Sequence, residues 1–429
     1  MTLPTLFDFG RDFLGGNFYV YMLAFFLLPV SVLYGAKFFK PGEYNDGYLS
    51  RDITGCVKGI SIFVVILHHL SQRISGAGMF FSFTRYGYLA VSIFFFLSGY
   101  SLMVSLLKSP AYLDNFLRKR LSRVYIPVLV INSITLASYH LIYGFNWTIT
   151  GIVKNITGIE LIDQILWFVN AILIFYVVFF IAFRFFSVRT GVFIVLAYSF
   201  VYYNVCKHTG FGEWWYNTSF CFPLGVMVAY KYKVFTGFMQ RNYMAVTAAV
   251  VAVFCASFYL GNWWPYPVNT RVFLIISAVS CVFMAVVFSR QRNYTALVST
   301  LVIGTAAYFY IWRFWYFPAY ASQLSVVSSI SCVFMMLVFL MKVNVGNRLW
   351  VFMGVISYEM YLVHMKLFNI YFSYVKLNSA VTIYIFLAIV IAAAWVFNKL
   401  FDYINQPQKA AAPAVSPAGP VDVETEPEA

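Results

Sequence analysis

Charged side chains are scarce in this 429-residue chain, at 10% of residues, against roughly 25% in soluble domains. Carboxylates are the scarcer sign, 15 against 29 Lys and Arg. So little charge, with a mean hydropathy of +0.78, excludes an ordinary water-soluble globular protein. Cysteine is sparse too: Cys56, Cys206, Cys221, Cys255, Cys281 and Cys332 lie mostly in apolar stretches, with no CxxC. They form neither a disulfide framework nor a metal site. No basic domain, RNA-binding signature or zinc-finger spacing is present, so the net charge of +14 does not point to nucleic acid.

What is abundant is apolar: 62% hydrophobic residues, including 47 Phe, 33 Tyr and 10 Trp. That much apolar surface must be buried, which excludes disorder for most of the chain. An all-α, polytopic transmembrane bundle accommodates it. Apolar runs predict spans at 17–39, 59–72, 87–107, 124–143, 164–183, 190–206, 214–230, 243–260, 271–289, 296–316, 322–341, 350–372 and 380–400. About 11–13 of these cross the membrane. The first run lacks the basic lead and small-residue cleavage site of a signal peptide, so it is expected to be retained. One set of alternate loops holds 20 Lys and Arg and the other 7. By the positive-inside rule the N-terminus is outside and the C-terminus cytoplasmic. Residues 1–50 form an extra helix and a loop, 51–405 a membrane domain, and 406–429 a disordered Pro/Ala/acidic cytoplasmic tail. No internal repeat is evident, which weakens a transporter reading. Trp147, Trp214, Trp215, Trp263 and Trp264 in the outer loops suit an interfacial belt better than sugar stacking.

Ionisable residues inside apolar runs carry the functional signal. Lys58 and His69 are eleven residues apart, three helical turns plus about 20°, and share one face. The rise puts His69 about 16 Å beyond Lys58, half-way through a ~30 Å core. His68 points about 100° away, a poor chelate with its neighbour, so no metal is expected. Arg118, Lys119, Arg120 and Arg123 gather at the basic side. Anionic lipid accounts for some of this charge, but Arg120 and Arg123 are i, i+3 and can grip phosphates together. Late in the chain, Ser357, Tyr361 and His364 fall on one stripe. Glu359 is the only carboxylate inside a predicted span. At a cost of about 2.5–3.5 kcal/mol it needs a partner, with Arg313 or a histidine as candidates.

These elements, in this order, resemble acyltransferase family 3, the integral-membrane glycan acyltransferases. The likeness rests on Lys58-Gly59-Ile60…His69, Phe94-Phe95-Phe96-Leu97-Ser98-Gly99-Tyr100, Arg120-Leu121-Ser122-Arg123…Pro127 and Ser357-Tyr358-Glu359-Met360-Tyr361-Leu362-Val363-His364. Leu166-Trp167-Phe168 and Phe175-Tyr176 also fit, and the likeness covers about residues 50–400. Lys58 stands where Arg is commoner, and a C-terminal SGNH domain is replaced by a tail, as in stand-alone members. The resemblance implies transfer of an acyl group, usually acetyl, from cytoplasmic acyl-CoA to a hydroxyl of a surface or lipid-linked glycan. Acetyl-CoA would be a donor substrate, with no permanently bound cofactor. The setting implied is a bacterial inner membrane, and the want of an SGNH domain leaves room for a periplasmic partner that completes transfer. Lys58, Arg118, Arg120 and Arg123 would meet the nucleotide phosphates. His69 would act as general base or transient acyl carrier. Tyr358, Glu359 and His364 would line the same cavity. The rival class is a transporter or flippase, and among enzymes an O-succinyltransferase.

Overall fold

The computed structural model describes residues 18–74, 78–261, 321–375 and 380–404. The chain is an all-α bundle. Among the described residues seven helices are long and apolar enough to cross a membrane, or nine if two bent pairs each count as one span. The expected spans 271–289 and 296–316, Arg313, Trp263, Trp264 and the tail lie outside the described residues. An N-terminal helix, α1, covers 18–33 and winds as π-helix over Met22–Leu27. Then come α2 (Arg51–Ser71), α3 (Gly87–Lys108), α4 (Phe116–Tyr143), α5 (Ile149–Thr157), α6 (Trp167–Phe185) and α7 (Val188–His208). The second half holds α8 (Cys221–Tyr230), α9 (Tyr232–Arg241), α10 (Tyr243–Gly261), α11 (Ala321–Lys342), α12 (Arg348–Val355), α13 (Ser357–Tyr374) and α14 (Ala380–Ile404).

Three expected spans take another form. The run 214–230 is α-helical only over the ten residues of α8, about 15 Å of rise against the ~30 Å of a full span. The run 350–372 is broken between α12 and α13 by a 71° bend, and α9 meets α10 at 93°. No proline marks either break, so neither was visible in hydropathy. The RxxR cations, expected in a loop, stand on the first turns of α4.

The central helix is α2, packed against α3, α12, α13 and the 3-10 segment Gly78–Arg85. Two glycine crossings set its neighbours. A Cβ on Gly354 of α12 would strike the Gly55 carbonyl of α2, and one on Gly59 would strike the Trp350 carbonyl. Likewise a Cβ on Gly99 of α3 would meet the Phe222 carbonyl, and one on Gly225 of α8 the Phe96 carbonyl. Small residues let backbones approach this closely where lipid offers no hydrophobic drive. The glycines of the Lys-Gly-Ile and Leu-Ser-Gly motifs are therefore packing residues. Gly99→Ala is expected to overpack its crossing and cost about 1–3 kcal/mol, seen as a lower melting temperature of the detergent-solubilised protein. An unchanged melting temperature would show that α3 and α8 do not hold this contact.

Phenylalanine rings lock the layer around this centre. Phe95 of α3 meets Phe168 and Phe175 of α6 edge-on at 5.3 and 5.6 Å, and Phe175 reaches Phe222 of α8 at 5.1 Å. Helices α7 and α14 are the least buried of the long ones, with apolar outer faces suited to lipid. On the basic side, β1 (Lys37–Phe38) pairs antiparallel with β2 (Val343–Asn344). The buried Lys342 ammonium donates to the Lys40 and Glu43 carbonyls at 3.0 and 2.5 Å and sits 4.0 Å from the centre of the Tyr44 ring. The loop before α2 is thereby fastened to the end of α11.

Candidate active site

Helix α2 begins at Arg51, seven residues before Lys58. His69 therefore stands near the far end of the helix, two residues short of Ser71. The two ends of α2 carry different chemistry.

At the basic end, Lys58 lies within electrostatic reach of Arg120. Arg120 turns inward: its Nε and one terminal nitrogen donate to the Tyr112 hydroxyl at 3.2 and 2.5 Å, and its plane lies 5.8 Å from the Tyr112 ring and 6.0 Å from Phe116. Arg118 and Arg123 are exposed. The expected i, i+3 pair thus splits into an inward and an outward cation. Pro127 leaves the Arg123 carbonyl of α4 without its intrahelical donor. One residue on, the Val124 carbonyl accepts from the Tyr358 hydroxyl at 2.6 Å, joining two of the sequence motifs.

At the other end a cavity of about 380 Å³ opens, lined by His68 and His69 of α2 and by Gln72 just after it. Across it stand Arg85, Tyr88, Trp167, Glu213, Trp214 and Asn217. Three of its polar atoms have no hydrogen-bond partner: Arg85 Nε, Glu213 Oε1 and Asn217 Oδ1. Asn217 is only 5% exposed, whereas Trp214 is 46% exposed at the rim. A buried orphan costs about 1–3 kcal/mol, and a cleft with several is built to be filled by a polar ligand.

The His69 ring centre lies 5.3 Å from that of His364. His364, 1% exposed, directs Nδ1 at the carbonyls of Met360 and Tyr361, at 3.0 and 2.8 Å. Carbonyls only accept, so Nδ1 carries the proton, and the buried Nε2 has no partner. The neighbouring Tyr361 hydroxyl donates to the Ile165 carbonyl. Lys366 of α13 forms a buried ion pair with Asp163 at 2.9 Å.

The structure brings His69 and His364 together, and Lys58 with Arg120. Tyr358 reaches α4 instead of the cavity. Glu359 faces α14, where Oε1 accepts from Asn398 at 3.3 Å and Oε2 is unpartnered. Its partner is therefore an amide rather than a histidine. Sequence reasoning passed over Gln72, Arg85, Glu213, Asn217 and the Asp163–Lys366 pair. Two of these carried a signal: Gln72, three and four residues after the two histidines, and Lys366, inside the predicted span 350–372. Among the described residues no group of three or more His, Cys, Asp or Glu is placed to hold a metal ion.

The acyltransferase domain of acyltransferase family 3 matches residues 55–301, more than half of the chain, including Lys58, His69, Arg120 and the cavity's Arg85, Glu213 and Asn217. No curated protein and no solved structure matches. With its long apolar helices, the chain is a multi-pass membrane acyltransferase and belongs to acyltransferase family 3.

Proposed function

We propose that this protein moves a short acyl group, acetyl first of all, from cytoplasmic acyl-CoA to a hydroxyl of a glycan or lipid-linked glycan on the far side of a bacterial inner membrane. The observation that carries this reading is His69, an imidazole on the wall of a polar cavity, about 16 Å of helical rise from the Lys58–Arg120 pair. The cation pair suits the phosphates of a CoA donor, since a guanidinium grips phosphate oxygens bidentately. The cavity suits a sugar: Glu213 and Asn217 offer acceptors to hydroxyl groups, Arg85 offers a donor, and Trp214 offers a ring face for stacking. The loop-charge asymmetry supports an N-terminus outside and the cation pair inside.

In the direct route, His69 takes the proton of the acceptor hydroxyl while its oxygen attacks the thioester carbon. The C–O bond forms, the C–S bond breaks, and the proton passes to the departing CoA sulfur. If the imidazole accepts the acyl group first, the same atoms balance in two steps.

The test is acetyl-CoA binding to the purified full-length protein, with Arg120→Ala compared with Arg123→Ala. A lost charge-assisted bond of about 1.5–3 kcal/mol lowers affinity roughly ten-fold or more. Arg120→Ala is expected to show that loss and the exposed Arg123→Ala less than a three-fold change. Wild-type protein that shows no saturable binding would overturn the CoA-donor reading.

A further inference from the structure

One amide, Gln72, touches both histidines of α2. Its Nε2 lies 3.1 Å from His68 Nε2, and its Oε1 lies 3.2 Å from His69 Nδ1. His68 Nδ1 in turn lies 3.0 Å from the carbonyl of Phe83, in the 3-10 segment Gly78–Arg85. The direction of every proton in this chain follows from that last group. A carbonyl only accepts, so His68 Nδ1 donates. The neutral ring then has a lone pair on Nε2, which only the NH2 end of Gln72 can satisfy. That turns the Gln72 oxygen to His69, and an oxygen obliges His69 Nδ1 to be the donor. The lone pair of His69 is left on Nε2.

We propose that Gln72 is a positioning residue that fixes His69 in the Nδ1–H tautomer and holds Nε2 free as the base. This rests on the reading of His69 as the proton acceptor in acyl transfer. Free histidine favours the opposite tautomer, with the proton on Nε2, which has no lone pair there for a substrate hydroxyl. The Phe83 carbonyl, two rings away, thus sets the state of a catalytic nitrogen it does not touch. A second oriented group behind a histidine base is a general device for this purpose.

Gly87 belongs to the same arrangement. A Cβ there would lie 2.6 Å from two carbons of the His68 ring and 2.9 Å from Nδ1. Only glycine at the start of α3 lets that ring lie against the backbone and reach Phe83. The charged groups surrounding the pair are Arg73, Arg85 and Glu213, with the His364 ring tilted against that of His69 at 5.3 Å. None of them holds His69 Nδ1.

The tautomer can be read without any acceptor substrate. Full-length protein labelled with 15N-histidine and reconstituted in phosphatidylcholine vesicles would be examined by solid-state NMR. His69 signals are identified by their loss in His69→Ala. In the wild type, His69 is expected as the Nδ1–H form. In Gln72→Leu it is expected to revert to Nε2–H, and in Gln72→Glu, which keeps an acceptor oxygen before Nδ1, to stay as in the wild type. Gly87→Ala displaces His68 without touching Gln72 and is expected to weaken the preference. In native membranes carrying the same variants, which hold the acceptor, CoA release from acetyl-CoA should fall on the order of 10²-fold in kcat for Gln72→Leu, with KM little changed, and recover in Gln72→Glu. A wild-type His69 in the Nε2–H form, or an unchanged tautomer in Gln72→Leu, would overturn the proposal. An active His69→Ala beside the expected tautomers would instead sink the reading of His69 as base.

Discussion

His69→Ala is expected to lower acyl transfer by about 10²–10⁴-fold, the range a positioned general base contributes, and to leave acetyl-CoA binding as in the wild type. The two effects separate because of where the residue stands. Lys58 and Arg120, the cations proposed to bind the donor, lie at the other end of α2, away from His69. The imidazole makes one side-chain hydrogen bond, to Gln72, and borders an open cavity. Truncation therefore enlarges a polar space rather than stranding a buried group, and the fold should survive. His364→Ala makes the informative contrast. That ring is buried and bonded to two carbonyls of its own helix, so its loss should lower stability as well as rate. The measurement is release of CoA thiol from acetyl-CoA by membranes of equal protein content. A His69→Ala rate within three-fold of wild type would remove the imidazole from the chemistry.

The alignment of Lys58 with His69 was legible because both lie on one helix, where spacing alone fixes the face. That the helix runs on to Arg51 was less plain, since hydropathy does not register its polar first turns. The four cations after Arg118 were visible as a group. Which one turns inward depends on Tyr112, whose hydroxyl captures Arg120 across the turn between α3 and α4. His69 and His364 are 295 residues apart in sequence, so no local pattern could show their rings in contact. The same holds for Glu359. Its type and placement marked it as needing a partner, but Asn398 sits on a later helix, and helical spacing cannot say which neighbour a face meets. The family motifs were legible as strings, while their division of labour was not. Gly59 and Gly99 make crossings, Tyr358 donates to the Val124 carbonyl of α4, and His69 borders the cavity together with Trp167 and Tyr361.

Asp163→Ala is expected to destabilise the protein by about 3–5 kcal/mol, the range for removing one partner of a buried ion pair. Lys366 is 6% and Asp163 7% exposed at the side chain, and their 2.9 Å contact joins α13 to the segment before α6. Without the carboxylate, the ammonium stays in place with neither water nor counter-charge. Replacing both by apolar side chains, Asp163→Leu with Lys366→Met, removes the stranded charge, and such replacements are often neutral or stabilising. The double variant should therefore unfold at higher denaturant than Asp163→Ala, and equal midpoints would show that the stranded charge is not the cause. Chemistry separates from stability in the same pair. Gln164 and Ile165, which follow Asp163, line the cavity, and the Ile165 carbonyl accepts from Tyr361 beside His364. The ion pair fixes the height of that wall against α13, and an apolar pair does so without the directional bond. The double variant is thus expected to fold and to bind acetyl-CoA normally while transferring more slowly than wild type. That outcome would mean that the buried charges are kept for the shape of the cavity beside His69 and not for the stability of the bundle.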